Sequence, residues 1–79
     1  MDTRIMLGAV NYANMAIGRD LKNMREELGF SQAEVARKAR IRPEMLCRIE
    51  AGHGNPTVAT ITRIVKAIER ISGDKNHGP

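Results

Sequence analysis

Apolar positions recur at helical spacing through most of the chain. Ile17, Leu21, Met24 and Leu28 lie three and four residues apart, which predicts a helix from about Asn14 or Met15 to Leu28 with these four on its buried face. Gly29 supplies its C-terminal stop. Ser31 followed three residues later by Glu34 is a capping box, so a second helix opens there. Its inner face is Val35, Ala36 and Ala39, and it ends near Ala39. Arg40 to Arg42 then read as a turn. Pro43 suits the first position of a third helix, where its missing N–H removes no bond. Leu46 and Ile49 form that helix's inner pair, Gly52 ends it, and His53-Gly54-Asn55-Pro56 reads as loop. Thr57 caps a fourth helix with the apolar stripe Val58, Ile61, Ile64, Val65, Ile68 and Ile71.

The ends of the chain are less regular. Residues 1–13 form an N-terminal arm in which Ile5, Leu7, Val10 and Tyr12 are apolar and Gly8 interrupts; helix, strand and loose arm all fit. Residues 72–79 are polar and rich in breakers, and read as a flexible tail. The expected organisation is one all-α domain over residues 14–71, flanked by arm and tail.

Composition narrows the chemistry. Cys47 is the single cysteine, so no disulfide can form within the chain, and His53 and His77 alone make no zinc framework. Tyr12 and Phe30 are the only aromatics, which argues against binding of single strands by base stacking. The net charge of +4 fits either a polyanionic partner or a solvated basic surface. No apolar run approaches the ~20 residues of a membrane span, and residues 5–17 lack the build of a signal peptide, so a cytoplasmic protein is expected. There is no Ser/His/Asp set, no metal-ligand cluster, no credible carboxylate pair and no phosphate-cradling glycine loop. Neither an enzyme nor a cofactor is expected.

Two short helices joined by a turn of three or four residues make a DNA-binding unit. Its apolar skeleton here is Val35, Ala36, Ala39, Ile41, Leu46 and Ile49; small Ala36 permits a close helix crossing and Ile41 plugs the gap in the turn. Over about Ile17 to Ile68 the chain resembles the Xre family of helix-turn-helix regulators, which includes the phage lambda-type repressors and Cro proteins. LKNMREELGFSQAEVA is similar to the family's first two helices, and LCRIEAG followed by NPTVATITRIVKAI to the end of its recognition helix and its fourth helix. The resemblance implies a lambda-repressor-like fold of four to five short helices.

The resemblance also implies roles. Gln32 and Asn55 match phosphate-contact positions, and Arg25 and Glu50 match a salt bridge between the first and third helices. The third helix is expected in the major groove, presenting Glu44, Cys47, Arg48 and Ala51, flanked by Pro43 and Met45. Arg48 is the leading base reader, since a guanidinium bridges the two acceptors of guanine; a phosphate contact is its alternative. Glu44 either accepts from cytosine or serves the helix N-terminus electrostatically. Cys47 is read as a small residue that fits the groove. Arg42, Arg40 and Lys38 complete the expected phosphate contacts, while Arg63, Lys66 and Arg70 read as a solvated face of the fourth helix.

Three departures stand out. Arg40 replaces the family's usual glycine, which predicts a strained or altered turn. Arg42, Pro43 and Glu44 replace the usual cap and small polar base readers. The family's fifth helix has no counterpart, so Ile68 and Ile71 are expected to need cover from the arm or a second subunit. The expected function is a repressor binding double-stranded DNA at a palindromic operator as a homodimer. The alternatives are an antitoxin that autoregulates its operon and wraps a toxin with its arm, and a protein-interaction module that has lost DNA binding.

Overall fold

The computed structural model describes the backbone of residues 3–75 and the side chains of residues 12–73. Four helices follow in order: α1 (Thr3–Glu27), α2 (Gln32–Ala39), α3 (Pro43–Glu50) and α4 (Val58–Lys75). No strand occurs among the described residues, and α2, its turn and α3 form the helix-turn-helix.

The capping logic of the sequence is realised locally. Ser31 Oγ accepts from the Glu34 amide at 3.0 Å while the Glu34 carboxylate accepts from the Ser31 amide at 3.1 Å, closing the capping box. Arg42 caps α3 in an extended conformation that Pro43 enforces. Thr57 Oγ1 accepts from the Thr60 amide at 3.1 Å at the start of α4.

The three ends of α1, α2 and α3 share one device. After each helix a left-handed residue reverses the chain, and the amide that follows it bonds back across the last turn: Phe30 to Arg25, Ile41 to Ala36 and His53 to Arg48. The left-handed residues are Gly29, Arg40 and Gly52. The turn is thus kept at Arg40, with φ 60° and ψ 45°, although its side chain opposes that backbone conformation.

The core gathers Leu21, Phe30, Val35, Ala36, Ala39, Leu46, Ile49, Ile64, Ala67 and Ile68. Three expectations are corrected here. Met24 and Leu28 are partly exposed, because the buried line of α1 runs through Leu21 and Arg25, and Leu28 lies beyond the helix end, where Phe30 turns inward instead. Val58 is 80% exposed, at the first turn of α4. Ile68 is fully buried and Ile71 packs against the core, so this end of the stripe is not left open. Small Ala36 and Ala39 on α2 allow α4 to lie close enough to cover both isoleucines without a fifth helix.

Both outer helices run further than the apolar pattern indicated. α1 begins at Thr3, about three turns before Asn14, because one internal glycine costs a helix only about 1 kcal/mol. α4 continues through Gly73 to Lys75 for the same reason, so Ser72 to Lys75, assigned to the tail, are helical. The remainder of that tail and the first two residues of the arm lie outside the described residues.

Replacing Arg40 with glycine removes the left-handed penalty while keeping the turn. Arg40→Gly is expected to stabilise the fold by roughly 1 kcal/mol and to raise Tm by about 4–8 °C in thermal denaturation. A lowered Tm would show that the Arg40 side chain contributes more than its backbone strain costs.

Candidate nucleic-acid interface

α3 has one face in the core and one in solvent. Leu46, Ile49 and Glu50 are buried; Pro43, Glu44, Met45, Cys47, Arg48 and Ala51 are exposed. Two apolar residues cannot by themselves fix the rotation of an eight-residue helix. Glu50 does so.

Glu50 is 7% exposed, and its carboxylate accepts three hydrogen bonds. Arg25 grips it in bidentate fashion, Nε to Oε2 and Nη2 to Oε1, both at 2.8 Å. Gln32 Nε2 donates to Oε1 at 2.9 Å. The third Arg25 nitrogen, Nη1, donates to the Phe30 carbonyl at 2.8 Å, tying the pair to the turn after α1. One carboxylate therefore holds α1, the start of α2 and the end of α3 together. Among the described residues no buried side-chain polar atom lacks a partner.

Burial works against the Glu50 charge, but the hydrogen bonds from Arg25 and Gln32 and the charges of Arg25 and Lys22 outweigh it. The carboxyl is held below the usual carboxylate range. The hydrogen bond to Glu50 pushes Arg25 up, against the opposing effect of burial.

A second constraint is steric. A methyl group on Gly18 would run into the Ile49 carbonyl. Gly18 therefore lets α1 touch the end of α3, and Arg25, two turns later on the same face, reaches Glu50. The Asn14 side chain donates to the Gly54 carbonyl at 3.2 Å and so tethers the loop after α3 to α1. Neither Gly18 nor Asn14 was marked by the sequence pattern, since each acts through a backbone group distant in sequence.

The outer face of α3 and the loop before α4 enclose an open cleft of about 480 Å³. Arg42, Glu44, Met45, Arg48 and Asn55 all border it. Pro43 and Cys47 are exposed on the same helix but do not border the cleft. Gln32 sits at the first position of α2, half-buried, with its side chain committed to Glu50. The first amides of a helix lack intrahelical partners, which favours an anion at such an end. Lys38 and Arg40 stand apart from the cleft, at the other end of α2, beside Arg63, Lys66 and Arg70.

A helix-turn-helix family model matches residues 21–75 of the chain. No curated protein and no solved structure gives a significant match.

Glu50→Gln keeps the shape but removes the buried counter-charge of Arg25, leaving it the exposed Glu26 at 3.7 Å, and is expected to cost about 3–5 kcal/mol in urea unfolding. A double-mutant cycle with Arg25→Met measures the coupling directly; a value near zero would refute the pair. The pH dependence has a definite sign. A carboxyl held low when folded contributes stability that is present above its unfolded pKa, near 4.3, and is lost as pH falls through the lower folded value. Wild type should lose stability in that acid window, and the Glu50→Gln variant should lack that component of the loss.

Proposed function

Since the chain belongs to the Xre, or lambda-repressor-like, family of helix-turn-helix DNA-binding regulators, we propose that it is a repressor that binds a palindromic operator as a homodimer. The observation that carries this reading is the α3 surface: its inner side is locked by Glu50, and its outer side presents Arg48 and Arg42 around an open cleft.

In this reading α3 enters the major groove. Arg48 reads a guanine, with Pro43, Glu44, Met45 and Cys47 against neighbouring base edges. Gln32, Asn55 and Arg42 take phosphates at the cleft side, and Lys38 and Arg40 do so at the far end of α2. Gln32 does this from a helix N-terminus, where amide groups and the helix dipole favour an anion. Its bond to Glu50 fixes the side chain, so the phosphate contact is prepared in advance.

The homodimer is supported by α1. Tyr12 and Met15 are 73% and 59% exposed, on a helix that continues past them to Thr3. Because Ile68 is buried within the monomer and Ile71 packs against the core, this reading assigns α1 to the second copy. The same exposed apolar residues support the second reading, an antitoxin whose arm wraps a toxin protein; a small toxin reading frame beside the gene would favour it.

Selection from a random duplex pool should enrich a symmetric site, its halves about 34–36 Å apart. On that site Arg48→Ala should cost about 1–3 kcal/mol and relax preference at one base pair per half-site. An even loss across base variants would make Arg48 a phosphate clamp. In light scattering the intact chain should be a dimer and the chain lacking residues 1–13 a monomer; a dimer that survives truncation would move the interface off the arm.

A further inference from the structure

The C-terminal end of α2 and the middle of α4 enclose a second hollow, of about 310 Å³, with Ala39 and Ala67 in its floor. Its rim is Lys38, Arg40, Arg63, Lys66 and Arg70, with no acidic residue. Sequence spacing put the α4 cations on a solvated face and treated Arg40 as part of a turn; the fold brings them together. Arg63 Nη2 donates to the Arg40 carbonyl at 2.9 Å, which holds the Arg63 guanidinium against the turn that carries Arg40. Among the described residues no carboxylate pairs with Arg40, Arg63, Lys66 or Arg70. The negative end of the α2 dipole offsets only about half of one charge.

Such a cluster is an unfavourable arrangement for an isolated protein. Its cations repel, and Arg40 adds backbone strain at a position where the equivalent turns use Gly29 and Gly52. The hollow shares no lining residue with the α3 cleft but neighbours it along the chain. Arg40 lies two residues before the Arg42 cap. On α4, Thr60 borders the α3 cleft, and Arg63, Ala67 and Arg70 continue along that side in steps of three and four residues.

We propose that this hollow is a second DNA-backbone site, which holds phosphates flanking the half-site that α3 reads. It rests on the DNA-binding reading above. Duplex DNA offers about one negative charge per 1.7 Å of its axis, so a strand leaving the α3 cleft meets the cluster with a run of phosphates and relieves the repulsion among its cations. The site carries no base specificity. It extends the footprint and steepens the salt dependence.

The test compares two duplexes bearing the selected site, one ending at its edges and one extended by about 10 bp on each side. Fluorescence anisotropy across a salt series should show tighter binding of the long duplex by wild type, with a log–log slope steeper by about 0.9 for each phosphate gained. K66Q/R70Q, which changes two exposed side chains, should lose much of that length-dependent gain and bind the short duplex as wild type does. R40G should lose part of the gain even as its Tm rises, which separates the charge from folding. Equal binding of both lengths by wild type, or an equal loss on both lengths in K66Q/R70Q, overturns the proposal. So does a preference of the cluster for polyglutamate over flanking duplex, which would point to an acidic protein instead. Failure of wild type to bind even the short duplex strikes the DNA-binding reading itself.

Discussion

The structure depends on one buried carboxylate. Glu50 sits where α1, α2 and α3 meet, and an ion there is tolerated only when both of its oxygens find donors. Arg25 and Gln32 supply them, and each comes from a different helix. A buried ion pair is poor at adding net stability, because desolvation consumes most of the Coulomb energy. It is good at rejecting other arrangements, since a small rotation of α3 would strand two charges. That selectivity is what a recognition helix requires, for its outer residues point correctly only if its inner ones are held.

The same pair links folding to the surface proposed to face DNA. Gln32 stands at the first position of α2 and also completes the Glu50 shell, so the helix end that can meet a phosphate is bonded to the helix that can meet bases. The Asn14 bond to the Gly54 carbonyl does the same for the loop carrying Asn55. Both sides of the cleft are thereby fixed to α1, the longest rigid element.

α1 and α4 divide the remaining apolar surface unequally. α4 places Ile64, Ala67 and Ile68 in the core, with Val65 and Ile71 packed against it, while Val58 in its first turn stays in solvent. α1 is left with Tyr12 and Met15 in solvent. Among the described residues, the most exposed apolar side chains thus stand on both outer helices. Positive charge with no paired carboxylate among the described residues gathers around Arg40 and Arg63. The two surfaces call for different partners.

Local signals in the sequence determined α2, α3 and the start of α4. The Ser31–Glu34 box, Pro43, Thr57 and the two glycines after α1 and α3 act within a few residues, and the starts and stops of α2 and α3 follow from them. The outward set on α3 followed from Leu46 and Ile49 by periodicity, and the Arg25–Glu50 pairing was legible only through family resemblance. Tertiary structure decided the rest. Periodicity could not choose between the Leu21–Arg25 line and the Met24–Leu28 line on α1, because the choice turns on Phe30 folding in and on Gly18 meeting the Ile49 carbonyl. Nor could it place Gln32 on Glu50 or Arg63 on Arg40, bonds that join helices distant along the chain. A helix's own pattern states which residues share a face; what that face meets is set by how closely small residues elsewhere let its neighbours approach.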